Sequence, residues 1–307
     1  MLKPHALRSG DRLAIVAPAS HFDREEFDQG IAEIQNLGFE PVYDESVFAK
    51  SDYVAGPASV RAAAILAAWR DPSVAGVVAV RGGYGSAQVL PLLDPQDARS
   101  ACKPFVGYSD LTAMLGFLNF NCDMVAFHGP MLAGRLGKGG DGYDRDTFEK
   151  ALCRVAPMGE LAPPGLETIT PGEASGPLVG GTLTQVLASL GTQYEFKPPA
   201  GYVLFLDEVS ERPYRLDRMV TQLLHTGLLA RASAVIIGEL PRCDEPSGVV
   251  TGKGVMKELF GDFPGPVLFG FPSGHTTGPA MTLPFGVTVR VLSAPHPRVI
   301  VEETAVQ

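Results

Sequence analysis

Apolar residues fall along the chain in two rhythms. Some runs are continuous: Leu13 to Pro18, Val74 to Val80, Phe105 to Gly107, Met124 to Phe127, Tyr202 to Leu206, Ala234 to Ile237 and Val267 to Gly270. Short unbroken runs of this kind read as strands buried on both faces. Between them the spacing becomes that of one helix face. Phe27, Ile31, Ile34 and Leu37 are stopped by Gly38, and Val60 to Arg70 is strongly helix-forming and ends before Asp71-Pro72. Pro213 opens an amphipathic segment with Leu216, Met219, Val220, Leu223, Leu224 and Leu228 on one side. Strands and helices alternating across short connections predict an α/β fold with a parallel sheet covered on both faces. In such sheets the sites form beyond the C-terminal strand ends.

The alternation fades between 134 and 176, where Gly and Pro are frequent. This pattern predicts a helix near 147–155 and a Gly/Pro-rich linker over 151–176. The linker would join a first domain, residues 1–150, to a second, residues 177–307. The second half is expected to be a smaller α+β unit, with short strands over 287–291 and 299–301.

One strand end stands out. Phe105-Val106-Gly107 is followed by Tyr108-Ser109-Asp110, then by a helical face of Leu111, Met114, Leu115 and Leu118. Strand, tight turn, serine and helix are the parts of a nucleophile elbow, although Leu111 stands where the last Gly of that motif is usual. A hydroxyl there would lie at a helix N-terminus, which favours developing negative charge. Read alone, Ser109 fits an N-cap equally well.

A serine nucleophile needs a base, an orienter and an oxyanion pocket. His275, in Ser273-Gly274-His275-Thr276, follows a buried strand among small residues, and His128, in Phe127-His128-Gly129, ends another. Asp207 and Glu208 close the apolar strand 202–206, as an orienter or as a solvated strand end. Gly82-Gly83-Tyr84-Gly85 offers unobstructed N–H groups at the same sheet edge as Ser109. One of these with the Asp110 N–H would make an oxyanion hole. The turn lacks the spacing of a dinucleotide fingerprint, and no Walker lysine follows, so a phosphate cradle is the weaker reading.

Composition narrows the partners. With 307 residues, 45% hydrophobic and 19% charged, the chain can bury a large core. A net charge of -9 without a basic stripe argues against nucleic acid. No run approaches the roughly 18 apolar residues of a membrane span. The N-terminal residues carry no signal-peptide pattern, so a cytoplasmic location is expected. Cys102, Cys122, Cys153 and Cys243 form no CxxC pair and read as free thiols. Neither a metal nor a cofactor is expected.

Taken together and in order, five stretches resemble the LD-carboxypeptidase family of serine peptidases. They are Arg81 to Ser86, Phe105 to Asp110, Phe127 to Pro130, Leu204 to Glu208 with Pro213 to Met219, and Gly274-His275. The resemblance spans about residues 10 to 290. It implies a flavodoxin-like N-terminal domain, a swivelling-type C-terminal domain and a homodimer. It also implies a Ser-Glu-His triad that carries over to Ser109 and His275. The family's acid falls on Asp207, one methylene shorter than expected, with Glu208 the alternative. Adjacent strand residues face opposite sides, so both cannot serve His275. The implied substrate is a small peptide with a D-residue at its C-terminus, notably the murein tetrapeptide, cut at the bond following an L-centre. Gly83 and Asp110 would hold the oxyanion. Arg81, Arg135, Arg212 or Arg215 would hold the terminal carboxylate, and Tyr84 would line the substrate site. A second branch resembles the microcin-C immunity peptidases, which stack a nucleobase on an aromatic in a long loop. Here the only tryptophan, Trp69, lies in an expected helix, and 156–176 has no aromatic residue. A non-catalytic binding module on the same scaffold is the remaining alternative.

Overall fold

The computed structural model describes residues 1–307. The first half alternates as its pattern predicts: β1 (Arg12–Val16), α1 (Arg24–Asn36), β2 (Glu40–Val42), α2 (Ala58–Arg70), β3 (Val74–Ala79), α3 (Pro95–Ala101), β4 (Phe105–Gly107), α4 (Thr112–Gly116) and β5 (Ala126–His128). Caps explain several boundaries. Asp23 accepts from the N–H groups of Glu25 and Glu26 at the start of α1, and Asp94 from that of Gln96 ahead of α3. The five strands pair in parallel, in the order β5-β4-β3-β1-β2.

The second half contains α5 (Arg145–Cys153), β6 (Pro157–Leu161), β7 (Glu167–Thr170), β8 (Glu173–Thr182), α6 (Leu183–Ser189), β9 (Tyr202–Asp207), α7 (Pro213–His225), β10 (Ala232–Gly238), α8 (Gly252–Phe260), β11 (Val267–Phe271), β12 (Leu283–Phe285), β13 (Thr288–Leu292) and β14 (Arg298–Thr304). Its sheet has the order β6-β14-β13-β8-β9-β10-β11-β7, parallel from β8 to β11 and antiparallel at both flanks. No helix is long and apolar enough to cross a membrane.

The linker expected over 151–176 is not one. It supplies the end of α5, both edge strands β6 and β7, and the start of β8. Edge strands are the positions of a sheet that tolerate Gly and Pro, because one side of their backbone needs no partner. That is why the pattern faded there without a loss of structure.

Two features bind the halves. Strand β12 leaves the second half and pairs antiparallel with β5 of the first sheet, Leu283 opposite His128. The core is also continuous. On β9, Val203 and Phe205 face the first domain's core, while Tyr202, Leu204 and Leu206 face α6, α7 and α8 on the other side. The period of two divides the strand between two cores. The C-terminal ends of β4 and β9 therefore meet across a packed interface.

Candidate active site

Ser109 stands at the tip of the turn between β4 and α4, with φ of 64°. A left-handed serine is strained by roughly 1–3 kcal/mol and persists only where its surroundings impose it. The turn lifts the hydroxyl off the strand end, which is the geometry of the elbow. Gly82 permits it: a Cβ there would lie 2.9 Å from Ser109 Cβ and 3.2 Å from the Asp110 nitrogen. The glycine turn is fixed from three sides. Ser20 donates its N–H to the Gly82 carbonyl, and its hydroxyl accepts the Tyr84 N–H at 3.0 Å. Asp110 accepts the Ser86 N–H at 2.8 Å, and the Ser86 hydroxyl donates to the Asp110 carbonyl at 2.6 Å. The buried Arg61 guanidinium donates to the carbonyls of Gly56, Pro18 and Gly85 and to Gln88 Oε1, at 2.5 to 3.0 Å. The Gly83 N–H remains unpaired.

Asp207 and His275 come from the second half of the chain. Asp207, the last residue of β9, is fully buried. Its Oδ2 accepts from His275 Nδ1 at 2.7 Å and from the His275 backbone N–H at 2.8 Å. Its Oδ1 accepts the Thr182 hydroxyl at 2.8 Å. Three donors leave this carboxylate nothing to gain from a proton. Burial pushes the group up, but His275 and its hydrogen bonds outweigh burial and hold it down at about 2. Conversely, burial pushes His275 down, while the Asp207 charge and hydrogen bond overcome this and raise it above its ordinary value.

The loop opposite closes tightly onto Asp207. Gly274 has φ of 70°, and a Cβ there would fall on Asp207 Oδ2 and lie 2.6 Å from His128 Cε1. Glycine therefore lets the His275 loop close onto an aspartate. Glu208 points elsewhere: it accepts from the Thr184 N–H and hydroxyl at 2.9 and 2.6 Å, and burial is the main force pushing its pKa up. It holds the start of α6 and makes no bond to His275.

His128 is a core residue. It is completely buried, between Phe205 and Phe285 and beside Tyr108, with Nδ1 3.0 Å from Ser273 Oγ. The Ser273 hydroxyl donates to the Met281 carbonyl, so His128 carries its proton on Nδ1. Burial pushes it down to about 4, and it stays neutral at physiological pH.

Of the four arginines considered for the terminal carboxylate, three are engaged. Arg135 donates to the carbonyls of Gly142, Gly274, Thr276 and Gly278, at 2.7 to 3.3 Å, and so anchors the His275 loop to the first domain. Arg212 pairs with Glu245 and Arg215 with Glu211. Arg81, next to the glycine turn, is exposed, has neither a hydrogen bond nor an ion pair, and lies within electrostatic reach of Tyr108. Tyr84 is 55% exposed and meets Tyr53 edge-on with ring centroids 6.4 Å apart. Tyr108 reaches across the gap, its ring 5.2 Å from that of His275. Ser109 Oγ and His275 are not hydrogen-bonded to each other here. Such pairs are often long without substrate and tighten when it binds. Arg61, Ser20, Thr182 and the anchoring role of Arg135 had no local sequence signature.

The two family profiles that match are described as the LD-carboxypeptidase N-terminal domain, over residues 13–129, and the LD-carboxypeptidase C-terminal domain, over residues 175–291. A Bacillus subtilis protein named "Probable murein peptide carboxypeptidase" is 30% identical over 97% of this chain and 94% of its own. The murein tetrapeptide carboxypeptidase of Pseudomonas aeruginosa is 29% identical over 86% and 88%. Among solved structures, the muramoyltetrapeptide carboxypeptidase of Oxalobacter formigenes superposes with a TM-score of 0.82 at 25% identity, covering 95% of this chain and 99% of that one. The microcin C7 self-immunity protein bound to aspartyl sulfamoyl adenosine gives 0.92 at 21% identity over the whole of both chains, a likeness of fold. With both domain profiles matched in order and a full-length relative at 30% identity, the chain belongs to the LD-carboxypeptidase family.

Proposed function

We propose that this protein is a serine carboxypeptidase that removes a C-terminal D-amino acid from a small peptide, cutting the amide that follows an L-centre. The murein tetrapeptide, with release of D-Ala, is the favoured substrate. The observation that carries the reading is the junction of two differently built strand ends: a strained serine on one and a doubly bonded Asp207–His275 pair on the other. His275 Nε2 takes the Ser109 proton as Ser109 Oγ attacks the scissile carbonyl. The Gly83 and Asp110 N–H groups hold the resulting oxyanion. His275 passes the proton to the leaving amine, the D-amino acid departs, and water resolves the acyl-enzyme by the same route in reverse. Asp207 keeps the imidazole in the Nδ1–H tautomer and stabilises its charged form.

Arg81 receives the substrate's terminal carboxylate, being the arginine of the four without a partner, and Tyr84 and Tyr53 line the approach. A cytoplasmic location and a homodimer accompany this reading, and light scattering on the purified protein tests the second. The nucleobase-stacking alternative finds no support in the 156–176 stretch, which forms β6, β7 and the start of β8 and has no aromatic side chain.

The test is incubation with purified murein tetrapeptide, following free D-Ala, with Ser109→Ala as control. Release by the wild type alone is expected. No release, together with cleavage of an aminoacyl sulfamoyl adenosine, would transfer the protein to the other branch. No turnover of either, with Ser109 unlabelled by a fluorophosphonate, would make it a binding module.

A further inference from the structure

The nucleophile and its acid lie on different sheets, yet one side chain joins them. Thr112, three residues after Ser109, is 5% exposed and opens α4. Its backbone N–H donates to the Ser109 carbonyl. Its Oγ1 accepts the backbone N–H of Thr182, across the domain interface, at 3.0 Å. Thr182 is the register partner of Asp207 on the neighbouring strand, and its own hydroxyl donates to Asp207 Oδ1. The line is unbroken from the Ser109 backbone through Thr112, Thr182 and Asp207 to His275 Nδ1.

A second observation shows that the contact is built into the fold. Gly181 has φ of 139°, and a Cβ there would fall on the Thr112 side chain, against Oγ1 and Cγ2; the neighbouring Gly180 lies equally close to the backbone of β9. Gly181 opens a notch in β8, and Thr112 fills it. A side chain at 181 could not let α4 come this close.

We infer that Thr112 is a positioning residue, whose hydroxyl sets the register between the serine turn of the first domain and the Asp207–His275 pair of the second. The inference rests on the reading of Ser109 as nucleophile and His275 as base. Without the hydroxyl, the Thr182 N–H is buried unpaired, and the strand end carrying Asp207's third donor is free to shift. Misplacement of reacting groups by about 1 Å can cost on the order of 10²-fold in rate.

The experiment compares Thr112→Val, of nearly the same shape, with Thr112→Ser, which keeps the hydroxyl, and with Thr182→Ala, which removes the donor to Asp207 without touching α4. Two readouts are taken on the folded full chain: the rate of Ser109 labelling by a fluorophosphonate, and the titration of the His275 ring by NMR. Thr112→Val and Thr182→Ala should label on the order of 10²-fold more slowly. In both, His275 should titrate at lower pH than in the wild type, because its carboxylate is less well aimed. Thr112→Ser should resemble the wild type in both. Wild-type behaviour of Thr112→Val overturns the inference, as does a Thr112→Ser variant as impaired as Thr112→Val, which would leave packing alone as the cause. If Thr112→Val does not fold, Thr112→Ala, smaller and also without the hydroxyl, carries the test, and wild-type labelling and titration there overturn the inference equally. Failure of the underlying reading looks different: the wild type itself would not label, while the His275 titration would still move in the variants.

Discussion

The two strand ends that form the site are held in opposite ways. At the end of β4, Ser109 is placed by backbone: a left-handed turn, a neighbouring Gly82 with no Cβ, and carbonyls gathered by Arg61. At the end of β9, Asp207 is placed by side-chain hydrogen bonds, three of them converging on one buried carboxylate. The first design stores strain and leaves a hydroxyl free to react. The second stores none and leaves a charge that cannot move. The serine side should therefore lose activity on mutation without losing stability, while the acid side should lose both.

The sharpest break in that comparison is Asp207→Ala. Turnover of whichever substrate the protein accepts should fall about 10⁴-fold, the scale for losing a triad acid. The Thr182 hydroxyl and the His275 N–H are then buried without a partner, at about 1–3 kcal/mol each. Urea unfolding should accordingly show a loss of a few kcal/mol that Ser109→Ala, with the same collapse in turnover, does not share. Glu208→Gln should keep turnover near wild type. A Glu208→Gln variant as inactive as Asp207→Ala would mean that the wrong carboxylate has been assigned.

The comparison also has a pH signature. His275 must be neutral to act as base, and its partner raises its pKa. Activity should thus fall as pH drops through a midpoint above the ordinary imidazole value of about 6.5. Asp207, held at about 2, contributes nothing in that range. In Asp207→Asn the acid limb of kcat/KM should move to lower pH, alongside the loss of rate. A limb that stays in place would show that another group sets it.

Ser109 and His275 stood out in the sequence because each follows a glycine just past a strand end, Gly107 two residues before the serine and Gly274 directly before the histidine. The period of two says only that Asp207 and Glu208 turn to opposite sides, and it was the register of the resemblance that favoured Asp207; in the structure Asp207 bonds His275 and Glu208 bonds Thr184. What was not legible is long-range. Thr112 and Thr182 are 70 residues apart, and Arg61 and Pro18 are 43 apart, so no spacing announces either bond. Arg135 stood among the four candidates for the terminal carboxylate because its partners are backbone carbonyls, which every sequence has and none displays. The stretch from 156 to 176 looked like a linker because edge strands need not alternate cleanly. The return of β12 to the first sheet left no local mark at all.

Behind the acid side sits His128, which gives that side a separate weakness. Its folded pKa is depressed to about 4 from an ordinary value of about 6.5. As pH falls through this window the unfolded chain takes the proton first. The stabilisation is full above about 6.5 and is lost as pH falls toward 4, to a total of about 3 kcal/mol at 1.4 kcal/mol per unit. Asp207 loses its own contribution only below the usual carboxylate range, so the two windows are distinct. Unfolding free energy measured between pH 7 and 4.5 should decline in the wild type and stay flatter in His128→Gln. Equal slopes would show that His128 is not kept neutral by its burial.

The smallest effect tests the serine side alone. Ser109→Gly and Ser109→Ala both remove the hydroxyl, but only glycine accepts φ of 64° at no steric cost. Relief of the strain is partly offset by glycine's greater freedom in the unfolded chain. Ser109→Gly should therefore be more stable than Ser109→Ala by about 1 kcal/mol, read from paired urea titrations. At most other positions the same exchange runs the other way, since glycine costs stability relative to alanine by roughly 0.5–1 kcal/mol. The sign, more than the size, is the measurement. If alanine is the more stable, the serine turn is relaxed, and the contrast between a strained serine and a hydrogen-bonded carboxylate loses its first half.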